Sequence, residues 1–111
     1  MGGRRALLTT LALALGLTSL SLPPRAAAHA LLLSSEPAAG STVGTAPTTV
    51  VLTFGETSDA RLSSIKILDS RGTDHAGGPV QSVPGEPLRL QIAVGQLGDG
   101  VYTVSWRTLS A

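Results

Sequence analysis

His29 is the residue best suited to metal chemistry in this chain, because its value depends on where the chain begins. Gly2, Gly3, Arg4 and Arg5 form a short basic start, and Ala6 to Leu22 form an apolar run rich in Leu and Ala. Pro23, Pro24 and Arg25 break that run ahead of Ala26-Ala27-Ala28, a small-x-small site of the kind signal peptidase cleaves. Cleavage after Ala28 makes His29 the first residue of the mature protein. A terminal His presents its α-amine and its imidazole Nδ1 together, and the two close a six-membered chelate ring on one metal ion. Cupric ion favours such nitrogen donors in a tetragonal plane.

The elements that must position this residue belong to one small domain. Removing the first 28 of 111 residues leaves 83, enough for a single unit over 29–111. The apolar run is short for a membrane span of about 20 residues and is interrupted by Thr9, Thr10, Thr18, Ser19 and Ser21, so a cleaved leader over 1–28 is expected rather than an anchor. The Arg4-Arg5 pair resembles a twin-arginine export signal, a weak pointer because arginine pairs are common in ordinary leaders. The leader holds three of the eight basic residues and none of the seven acidic ones, which leaves the mature part at −2. That balance argues against nucleic acid as a partner, since phosphate needs a basic face. Cysteine is absent and the one Met is Met1, so thiolate and thioether metal ligands and disulfide staples are all missing from 29–111.

Short strands punctuated by Gly and Pro fill the mature chain. Ala30 to Ser34 is a brief apolar run, closed by turn chemistry at Glu36 to Ser41. Thr49 to Phe54 alternates, with Val50, Leu52 and Phe54 on one face. Ser64 to Asp69 places Ile65 and Ile67 together, Val80 to Val83 reads as an edge strand between Pro79 and Pro84, and Leu88 to Val94 points Leu88, Leu90, Ile92 and Val94 inward. Val101 to Arg107 carries Tyr102, Val104 and Trp106 on one face. Six or seven such strands predict an all-β, immunoglobulin-like antiparallel Greek-key β-sandwich. Asp99-Gly100-Val101-Tyr102 matches a tyrosine corner, in which the Tyr hydroxyl bonds back to nearby backbone; an ordinary core aromatic is the alternative.

Four pieces in order carry a family resemblance: His29-Ala30 at the start, Leu33 to Gly40 followed by Ala46-Pro47, Val50 to Glu56, and Gly100 to Arg107. Together they resemble the CopC family of copper resistance proteins over essentially all of 29–111. The resemblance implies an exported, non-enzymatic Cu(II) carrier or buffer at the periplasm or extracytoplasmic cell-envelope face, free or fused to a CopD-type membrane copper-transport domain. It assigns His29 as the N-terminal copper ligand. The family's further Asp and His follow the Trp-Arg strand in an Asp-Gly-His type motif, which here would come after Ser110-Ala111, so the chain reads as truncated before its last strand. His75 is an additional candidate metal residue, in a loop comparable to the family's Met-rich cuprous loop but without Met; a solvated loop side chain is its ordinary reading. Glu56 matches an acidic residue common after the Phe strand and reads as a solvated strand-end carboxylate. Two other functions fit parts of the pattern: a histidine-brace copper oxygenase, which needs a second His and a flat polysaccharide-binding face, and a metal-free immunoglobulin-like spacer.

Overall fold

The computed structural model describes residues 30–109, and the leader and His29 lie outside them. Two antiparallel sheets face each other as a β-sandwich. One has four strands in the order β1-β2-β5-β4, namely Leu32–Glu36, Thr49–Phe54, Glu86–Ala93 and Gln81–Val83. The other pairs β3, Ser64–Leu68, with β6, Thr103–Arg107. The chain leaves the first sheet after β2, returns for the β4–β5 hairpin, and crosses again to β6. The hairpin turns at Pro84-Gly85, where Gly85 adopts φ +78°, a conformation that a side chain disfavours.

Side-chain alternation explains the core. In β2, Val50, Leu52 and Phe54 are buried, while Val51 and Thr53 between them are half-buried on the other face. Val50 lies opposite Ile92 and Leu52 opposite Leu90 in the β2–β5 ladder, so five apolar side chains line one inner surface. Ile65 and Ile67 of β3 supply the facing layer, with Val104 and Tyr102 packed against it. On the outer surface Arg89 ties three strands together. Its guanidinium donates to Thr53 Oγ1 at 3.1 Å and pairs with Glu36 at 2.7 Å and Glu86 at 3.0 Å.

The strands expected from the sequence are all present, with shifted ends. β1 starts and finishes two residues later than the apolar run, because the ladder to β2 continues through Ser35 and Glu36. The polar stretch after Gly55 contains a short 3-10 turn at Ala60–Leu62, started by Asp59, whose carboxylate accepts from the Arg61 N–H at 2.8 Å. One inward assignment, that of Leu88, needs correction, and Trp106 on the face it shares with Tyr102 and Val104 is open to solvent. Leu88 is 40% exposed and Trp106 is 41% exposed. β5 is eight residues long and faces strands of five, so its first residues overhang the opposite sheet, while Trp106 sits near the end of a two-stranded sheet. The tyrosine corner is realised: the Tyr102 hydroxyl donates to the Gly98 carbonyl at 2.8 Å.

Leu52→Ala should therefore cost about 2–5 kcal/mol of stability, because it opens a cavity where Leu52 is 1% exposed. Leu88→Ala should cost about 1 kcal/mol or less. Denaturant melts of the two variants measure the contrast.

Candidate metal centre

The sandwich has two ends, and Ala30, the residue that follows His29 in sequence, lies at the opposite one from His75. At one end β1 begins, β2 finishes and β6 finishes. Ala30 is 6% exposed there, and its N–H donates to Thr108 Oγ1 at 3.3 Å, across 78 residues of sequence. The Leu31 carbonyl accepts from the Gly55 N–H at 2.8 Å, which draws the segment leading to Glu56 alongside residues 30–31. The Asp59 N–H donates to the Leu109 carbonyl at 2.9 Å, so the chain beyond β6 leaves along the same edge. Ala30, Trp106, Arg107 and Thr108 line a shallow cavity at this point. His29 lies outside the described residues but is covalently one residue ahead of this anchored Ala30.

His75 belongs to the opposite end. β3 runs from Ser64, opposite Arg107, to Leu68, opposite Thr103, and His75 follows the turn after Leu68. Its backbone N–H donates to the Ile67 carbonyl at 2.8 Å and its carbonyl accepts from the Gly95 N–H at 2.7 Å. Residues 30 and 75 therefore cannot share one ion without unfolding the strand between the two ends. Both ring nitrogens of His75 are engaged. Nε2 lies 2.8 Å from Asp69 Oδ2 and Nδ1 lies 3.1 Å from the Gln96 carbonyl oxygen, and the ring meets Tyr102 edge-on at 5.5 Å between centroids. Carboxylate and carbonyl are both acceptors, so only a doubly protonated imidazole satisfies the two together. A metal at His75 would have to displace one of these partners.

The electrostatics agree with that geometry. The hydrogen bond that His75 donates to Asp69 is the largest influence raising the His75 pKa above its ordinary value, followed by a smaller opposing effect of burial. The His75 hydrogen bond, with the Thr73 and Arg71 backbone amides, lowers Asp69 to about 2. Asp69 Oδ1 accepts from Arg71 N at 2.8 Å and Thr73 N at 2.9 Å, which folds the turn around its carboxylate. Sequence reading missed this pair, although an Asp at a turn six residues before a His is a visible signal. Among the described residues no three His, Cys, Asp or Glu side chains gather as a metal cluster.

Comparison with known proteins decides the family. A model of the CopC domain matches residues 32–111. The chain belongs to the CopC family. It is also similar to CopC from Methylosinus trichosporium OB3b, known from a crystal structure, with a TM-score of 0.69 and 32% identity over 75% of this chain and 80% of that one. No significant match to a curated protein was found. CopC membership supports copper resistance as the general function and agrees with the sandwich seen here. No helix among the described residues is long and apolar enough to cross a membrane.

The His75–Asp69 pair should leave a signature in pH. A raised folded pKa for His75 means that its contribution to stability is complete below the ordinary value of about 6.5 and is lost as pH rises through the folded value. Asp69 contributes above its ordinary 3.8 and loses that contribution as pH falls through about 2. Proton NMR should find the His75 titration above 6.5 in the wild type and shifted down in Asp69→Asn. An unchanged midpoint would refute the pairing.

Proposed function

We propose that the mature protein is an exported Cu(II) carrier or buffer whose grip on the ion begins at His29. Signal-peptide cleavage after Ala28 creates the free amine, and amine and imidazole then chelate together. The observation that supports this reading best is the anchoring of Ala30 to Thr108 at the end of β6. It ties Ala30, the residue after His29, to the end of the strand after which the family's remaining ligands are expected to follow.

The chemistry asked of these groups is modest. The ordinary pKa values of an α-amine, about 7.7–8.0, and of imidazole, about 6.5, let cupric ion displace both protons near neutrality. Amine and imidazole fill half of a tetragonal plane, and carboxylate and imidazole donors from beyond β6 would fill the rest. Copper is cargo in this scheme: it is bound, held in its oxidised form by nitrogen and oxygen donors, and passed on. The recipient we propose is a CopD-type membrane copper-transport domain, fused or separate. The absence of Cys and Met from 29–111 supports a cupric rather than a cuprous preference, since the soft donors that cuprous ion favours are missing.

Adding a single Gly ahead of His29 tests the reading. The extended protein should keep its fold by circular dichroism and lose the amine-containing chelate, with a changed cupric electron-resonance spectrum and weaker binding by titration calorimetry. An identical spectrum from the extended and native starts would show that the amine is not a ligand.

A further inference from the structure

The two ring nitrogens of His75 reach partners that follow strands of different sheets. Nε2 lies 2.8 Å from Asp69 Oδ2, in the turn after β3, and Nδ1 lies 3.1 Å from the carbonyl oxygen of Gln96, just past the end of β5. β3 belongs to the two-stranded sheet and β5 to the four-stranded one. We infer that His75 is a proton-operated clasp between the two layers: imidazolium holds the Gln96 segment to the turn after β3, and neutral imidazole lets it go. The ring then has a conformational role in place of the metal role that the sequence left open for it.

A neutral imidazole carries one N–H, so it serves only one of two acceptors. The bond kept is the one to Asp69, because the carboxylate is the stronger acceptor and the contact is the shorter. That choice puts the proton on Nε2 and turns the bare Nδ1 lone pair toward the Gln96 oxygen, where two acceptors repel. Gln96 is exposed, so its carbonyl can turn to water instead. The charged groups acting on the ring are Asp69 and Asp74, both anionic, and Tyr102 meets it edge-on. Residues 93–98 bring no charge to it. The hydrogen bond to Asp69, most of all, raises the ring's pKa above its ordinary value, so the clasp stays closed past the pH at which a free imidazole loses its proton. Release is local. The Gly95 N–H still donates to the His75 carbonyl at 2.7 Å, and the Tyr102 hydroxyl still holds the Gly98 carbonyl. Gln96 and Leu97 lie between these fixed points and are the residues set free.

NMR on the metal-free, isotopically labelled protein tests the clasp. The Gln96 carbonyl carbon and the Leu97 amide should shift with the same midpoint as the His75 ring. Above that midpoint the Leu97 amide should exchange with solvent faster than base catalysis alone accounts for. The ring should carry both protons below the midpoint and only the Nε2 proton above it. In His75→Gln the pH response of Gln96 and Leu97 should vanish. A ring that titrates while Gln96 and Leu97 stay unmoved would overturn the clasp. So would a neutral ring protonated on Nδ1, because that tautomer keeps Gln96 and releases Asp69. Both of these outcomes are read from the wild type, so they decide the question even where the variant does not fold.

Discussion

The fold depends above all on the apolar face of β2. Val50, Leu52 and Phe54 lie between β1 and β5 in one sheet and press against Ile65 and Ile67 of the other. Because side chains alternate strictly along a strand, burying these three fixes the register of both neighbouring ladders; a slip by one residue would turn all three to water. Phe54 is fully enclosed, and directly after it Gly55 bonds to Leu31. The same strand that organises the core thus holds Leu31, just ahead of β1, in place.

Long-range tethers then define the two ends of the sandwich. One end is closed by amides and a hydroxyl, at Ala30–Thr108, Leu31–Gly55 and Asp59–Leu109. The other is closed by charge, through Asp69 and His75, with Tyr102 completing the corner.

Much of this was legible in the residues. Period-2 alternation at 49–54 and 64–68 identified the strands and their buried faces, because β-branched runs bounded by Gly and Pro have few other options. Tyr102 was readable as a corner from Asp99-Gly100 just before it. Leu88 misled because alternation reports which face a side chain takes, not whether the opposing sheet reaches that far. The His75–Asp69 pair and the Ala30–Thr108 bond depend on how turns and strand ends meet in space, and no local pattern encodes the second of these across 78 residues. His29 is a ligand expected from cleavage logic and family resemblance, and it lies outside the described residues.

The short strand β4 has a consequence for how this protein behaves in a crowd. It closes one flank of the larger sheet with only Gln81, Ser82 and Val83, between Pro79 and Pro84. An incoming polypeptide seeking to lengthen the sheet there meets too few free amides to zip onto, and the imino acids on either side offer none. Growth into fibrils from that flank is thereby discouraged by covalent structure alone, without spending a charged residue on it.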